Sequence, residues 1–169
     1  MTALDVPDNE ARPAPPHVLM RGVARIELND GPDKVVWLPT EEQPVVMGMH
    51  DELAVHYAAP PGTFVPRAST LDYVIGAVAA CLTGTFRRAL VARGVKVTSS
   101  DLRAEAVGEI VVDNGVPMIR AIEVRYRLAG TGPDEYAQVQ RAHSVHHRAC
   151  AVSRSVDAAI DISTVLELV

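Results

Sequence analysis

Between Ser69 and Gly94 the sequence predicts one long helix whose first half has almost no polar face. Ser69 is a strong N-cap, Asp72 three residues on makes an aspartate version of the capping box, and Gly94 offers a C′ stop after Arg93. Val74, Ala77, Val78, Cys81, Leu82 and Thr85 recur at helical spacing. Only toward Arg87, Arg88 and Arg93 does the segment return to solvent. A helix apolar all round must be covered on several sides, more than a single small sheet can do. A partner subunit is therefore expected to cover part of it.

Length and charge narrow the class. The chain has 169 residues, which fits one domain, and its 48% apolar and 22% charged residues are those of an ordinary globular protein. Residues 1–17, with Pro7, Pro13, Pro15 and Pro16 among small and polar residues, read as a disordered leader, and 18–169 as the single domain. Net charge is −5 and the 16 Lys and Arg form no run, which excludes a basic nucleic-acid-binding stripe. Two cysteines are too few for a secreted disulfide framework, and the N-terminus has no apolar h-region. The stretch Tyr73–Leu82 is about half of what a bilayer crossing needs. The expectation is a cytoplasmic protein of a reducing compartment, with no membrane and no nucleic acid among its partners.

Before the helix, Val18–Leu28, Lys34–Leu38, Val45–Met49 and Leu53–Ala58 are β-type runs cut by turn signals, and together they predict an antiparallel meander. After it, Leu102, Ala104 and Ala106 alternate with polar neighbours up to Asp113-Asn114-Gly115, and Ile122, Val124, Tyr126 and Leu128 alternate beyond it, which is a hairpin pattern. Gly132-Pro133 opens a second helix to about Ala149, Ser153 caps a short third, and Ile160–Leu168 closes as a strand. Strands, a long helix, a hairpin, a helix and a strand make an α+β fold.

The chemistry-bearing candidates are few. Cys81 sits mid-helix, where by its position alone a free cysteine is more often a small packing hydrophobe than a nucleophile. Activating its thiol, ordinarily near pKa 8.5, needs a cation or helix terminus nearby, and none is adjacent in sequence. Cys150 falls at a break between helices, a flexible, partly exposed place from which a thiol could swing to Cys81. His143, His147 and Cys150 lie at i, i+4 and i+7, one helical face, but lack a fourth ligand and any standard zinc spacing. No phosphate loop, GxSxG elbow or serine triad is present, and no cofactor or metal is expected.

The run STLDYVIGAVAACLT from Ser69 to Thr83, together with CAVSR from Cys150 to Arg154, resembles the OsmC/Ohr family (osmotically induced protein C and organic hydroperoxide resistance protein). The resemblance spans most of the chain from about Val18. It implies an OsmC-like fold: antiparallel sheets around a long central helix, in an intertwined homodimer with active sites at the interface. It further implies a thiol peroxidase in which Cys81 attacks an organic hydroperoxide and Cys150 resolves the sulfenic acid to a disulfide. An external dithiol, lipoylated in well-known members, then reduces that disulfide. For the family's thiolate-stabilising arginine, Arg21 and Arg67 are the candidates. The family's helix acid falls at Leu71 here, with Asp72 one place late and so turned by about 100°. Ala151 stands where the family carries proline. Leu71 favours an alternative, an OsmC-like dimer with little turnover that holds a small apolar ligand in its interface pocket.

Overall fold

The computed structural model describes residues 17–169. The expected leader lies outside the described residues except for His17, which is exposed. Two three-stranded sheets and one dominant helix make up the architecture, an α+β fold as expected. The first sheet is β1 (Arg25–Leu28), β2 (Lys34–Trp37) and β3 (Val45–Met47), an antiparallel meander in that order. The second is β4 (Leu102–Asp113), β5 (Val116–Leu128) and β6 (Asp161–Leu168), with β5 in the middle.

Helix α1 (Asp51–His56) replaces the strand expected over Leu53–Ala58. An apolar run this short fits either period. Two acids in the first turn, Asp51 and Glu52, favour the helix through its dipole. Positive φ angles at Asp51 (45°) and Ala58 (51°) bend the chain in and out of it. Its His56 reaches the Gly115 carbonyl at 3.2 Å, joining the first part of the chain to the hairpin tip.

Helix α2 (Thr70–Val91) forms as its signals predict. The Ser69 hydroxyl accepts the Asp72 N–H at 3.3 Å, and the Asp72 carboxylate takes the Ser69 N–H at 2.6 Å. At the other end the Gly94 N–H meets the Val91 carbonyl and the Val95 N–H meets that of Leu90, a Schellman closure with Gly94 at φ +80°. One seam of α2, comprising Val78, Leu82, Phe86 and Leu90, is fully buried against Ile122, Val124, Tyr126 and Leu128 of β5. The opposite side, with Tyr73, Val74, Gly76, Ala77 and Ala80, stays open. By length and composition alone α2 is long and apolar enough to cross a bilayer, a test that core helices also pass. Its buried seam makes it the core helix of this fold.

The hairpin turns at Asn114 (φ 49°) and Gly115 (φ 82°), the two left-handed positions of a type I′ turn. A bulge opposite Glu109 and Ile110 puts Arg120 between two paired residues of β5. Gly108 of β4 lies directly under α2, where a Cβ would come within 2.2 Å of Ile75 Cδ1. Strand β6 starts at Asp161 and pairs with β5 in parallel, so the second sheet is mixed. The intervening helices provide the crossover that parallel neighbours require. That connection is not one helix from Gly132 to Ala149. It runs as a 3-10 turn (Pro133–Glu135), α3 (Tyr136–Val145), a second 3-10 turn (His146–Ala149) and α4 (Ala151–Val156).

Candidate active site

Helix α2 and the start of α4 bring the two cysteines together. Cys81 sits on the half-buried flank of α2, and Cys150 lies directly between the 3-10 turn and α4. Cys150 is wholly buried, contrary to the partly exposed, flexible placement expected from the helix break. It caps α4 itself: its Sγ accepts the Ser153 N–H at 3.4 Å, so Cys150 holds the capping role that the sequence suggested for Ser153. A backbone break is exposed only if nothing packs on it, and here α2 does.

Cys81 packs against the core cluster that contains Cys150, and the surroundings push the two thiols apart in acidity. At Cys81 burial raises the pKa, but the Val152 N–H, the Cys150 thiol, the Ala151 N–H and the Thr85 hydroxyl outweigh it and hold the thiol below its ordinary value. At Cys150 burial also raises the pKa, the Ser153 N–H opposes it, and the Cys81 side chain raises it further, leaving the thiol above its ordinary value. Of the two thiols, Cys81 is thus the readier to ionise and Cys150 the readier to keep its proton. The activating groups missing around Cys81 in sequence are backbone amides beside its partner cysteine. Thr85 is the contributor that spacing could have revealed, since it lies four residues on along the same face. Its hydroxyl donates to the Cys81 carbonyl at 2.8 Å and lies where its proton can turn toward a thiolate.

Arg21, Arg67 and Asp72 are not part of this arrangement within one chain. Arg21 is exposed ahead of β1. Arg67 donates from Nε to Asp33 at 3.0 Å, packed over Gly48, where a Cβ would come within 3.0 Å of Arg67 Cβ. Asp72 lies nine residues before Cys81, about 13 Å along the helix. Besides closing the cap, Asp72 accepts His50 Nε2 at 2.9 Å, while Asp51 accepts His50 Nδ1 at 2.7 Å. Carboxylates only accept, so both ring nitrogens of His50 donate and the ring is an imidazolium. Asp51 and then Asp72 raise its pKa. His50 and Asp72 line a cleft of about 340 Å³ with Ile110, Val112 and Pro117.

His143, His147 and Cys150 do not converge, because the helix that would align them ends at Val145 and tightens to 3-10 geometry. Among the described residues no group of three His, Cys, Asp or Glu is placed to hold a metal ion. A cleft of about 660 Å³ lined by His147, Arg148, Arg154, Asp157 and Asp161 includes neither cysteine.

A family model described as OsmC-like protein matches residues 66–165, which contain both cysteines. Among solved structures, the OsmC-like protein of Mycoplasma pneumoniae superposes with a TM-score of 0.68 at 12% identity, over 90% of this chain and 99% of that one. The organic hydroperoxide resistance protein OhrB of Bacillus subtilis gives 0.63 at 11% identity, over 89% and 100%. An organic hydroperoxide resistance protein of Elizabethkingia anophelis gives 0.65 at 14%, over 90% and 99%. At these identities the likeness is one of fold. No curated protein matches the chain by sequence.

Proposed function

The chain belongs to the OsmC-like family, and on that premise we propose that it is a cysteine-based organic hydroperoxide reductase working as a homodimer in the cytoplasm. The observation that carries the reading is the packing of Cys81 on α2 against the core cluster that contains Cys150, with the Cys81 thiol held below its ordinary pKa and the Cys150 thiol above it. In the first step the Cys81 thiolate attacks the distal peroxide oxygen. The O–O bond breaks, Cys81 becomes a sulfenic acid, and the departing alkoxide takes a proton to leave as alcohol. In the second step Cys150 sulfur attacks Cys81 sulfur, the sulfenic oxygen leaves with the thiol proton as water, and a disulfide forms. An external dithiol, such as one carried on a lipoylated protein, exchanges with that disulfide and restores both thiols.

The apolar open side of α2 is the surface the second subunit would cover. A groove of about 430 Å³ there is lined by Ala68, Tyr73, Gly76, Ala77 and Ala80 with Asp72 at its rim. In such a dimer Arg21, Arg67 or Asp72 would act on the Cys81 of the other subunit. The alternative reading, a dimer that binds a small apolar ligand with little turnover, is favoured by Leu71 in the place of the family's acid.

Peroxide consumption with cumene, tert-butyl and hydrogen peroxides tests the choice. The reductase reading expects turnover with the organic substrates, none in Cys81→Ser, and a single oxidation without turnover in Cys150→Ser. An inert wild type that binds an apolar fluorescent probe would support the alternative instead.

A further inference from the structure

Behind Cys150 the core contains a polar pair that the two-cysteine chemistry leaves unused. His146, only 1% exposed, begins the 3-10 turn that ends at Cys150, and Tyr126, also 1% exposed, comes from the central strand β5. The His146 ring nitrogen Nδ1 lies 2.7 Å from the His143 carbonyl, and Nε2 lies 3.0 Å from the Tyr126 hydroxyl. A carbonyl only accepts, so Nδ1 carries the proton; in the neutral ring that burial favours, Nε2 is then the acceptor and the Tyr126 O–H donates to it. The ring is neutral. Burial pushes its pKa down to about 4, which matches that assignment.

Phe86 of α2 lies against both rings, 4.9 Å from Tyr126 and 5.0 Å from His146 between centroids. Two apolar rings would fill this volume without any desolvation penalty. They would lack one thing, a directional bond from the sheet to the turn that carries Cys150. No other side-chain hydrogen bond joins that turn to β5 among the described residues. Burial first, and then the nearby Cys150 sulfur whenever it is ionised, raises the Tyr126 phenol pKa.

We infer that Tyr126 and His146 are positioning residues for disulfide closure: their buried hydrogen bond fixes the 3-10 turn so that Cys150 meets oxidised Cys81 at bonding geometry. The inference rests on the reductase reading. The two sulfurs must close to a bond of about 2.05 Å with a restricted dihedral angle. A reacting group misplaced by about 1 Å loses up to a hundredfold in rate. The first step also uses the Ala151 and Val152 amides, but these belong to α4, which packs on α2 directly, so loss of the pair falls mainly on the second step.

The experiment is a single turnover with one equivalent of cumene hydroperoxide, following Cys81 sulfenic acid by dimedone trapping and closure by loss of free thiol. Tyr126→Phe keeps the ring and removes the donor. His146→Gln is the second variant, and thermal unfolding reports on the fold of each. The expected result is sulfenic acid formation within about twofold of wild type, closure slowed roughly tenfold, the scale of one lost hydrogen bond, and a larger trapped fraction. Wild-type closure in both folded variants would overturn the inference, as would equal slowing of both steps. A wild type that forms neither sulfenic acid nor disulfide would remove the reductase reading and this inference with it.

Discussion

Truncating Val78 to alanine removes two carbons from the fully buried seam of α2. The transfer loss is about 0.8 kcal/mol for each, near 1.6 in all. The void left behind, about 50 Å³ before relaxation, adds up to about 1.2 at roughly 24 cal/mol per Å³. A destabilisation of about 2–3 kcal/mol follows, or about 4–12 °C in Tm for a domain of this size. Val74, one turn earlier and 38% exposed, faces the open side. The same truncation there costs the isolated chain about 1 kcal/mol at most. If a second subunit covers that side, the Val74→Ala loss appears mainly as weaker association. Urea unfolding over a wide range of protein concentration, with sedimentation at each, separates the two. The Val78→Ala loss stays constant, whereas the Val74→Ala loss is largest where both proteins are dimeric and falls toward the isolated-chain value as dilution dissociates the dimer. A Val78→Ala loss under about 0.5 kcal/mol would refute the burial argument. A stable wild-type monomer at micromolar concentration would refute the cover argument.

Two further predictions concern the frame around the site. Asp51 and Asp72 raise His50 above its ordinary 6.5, so its stabilising contribution is complete below pH 6.5 and lost as pH rises through the folded-state value. Burial raises Asp72, but the Ser69 hydroxyl and His50 bonds outweigh it and lower its pKa, so its contribution is present above 3.8 and lost as pH falls through the folded value. At this exposure the His50 effect is below about 1 kcal/mol, and His50→Gln should flatten stability against pH from neutral to mildly alkaline in chemical denaturation. Gly108→Ala should destabilise by about 1–3 kcal/mol through the clash with Ile75, less a gain of about 0.5–1 from reduced chain freedom. In an Ile75→Ala background the clash is gone, and the same change should be neutral or stabilising; equal effects in both backgrounds would contradict the close approach.

Signals that act over a few residues were legible in the sequence. Ser69 with Asp72 and Gly94 bounded α2, and Asn114-Gly115 fixed the hairpin, because caps and type I′ turns are local devices. Leu53–Ala58 misled because six apolar-rich residues satisfy two periods. The alternation in β6 could not reveal parallel pairing, since the burial period is the same in either direction. The cysteines were readable as candidates, but their environment was not. Cys150 is buried by a helix sixty residues earlier, and Cys81 is activated by amides seventy residues later. Arg67 and Asp72 looked available for catalysis because their partners Asp33 and His50 are distant in sequence.

The most direct test of the redox pair is the intact mass and thiol map of wild-type protein after one equivalent of cumene hydroperoxide, under non-reducing conditions. The expected result is loss of two hydrogens, no alkylatable thiol, and a single intrachain disulfide joining Cys81 to Cys150, reversed by a dithiol. Two alkylatable thiols after exposure, or a disulfide found only between chains, would contradict it.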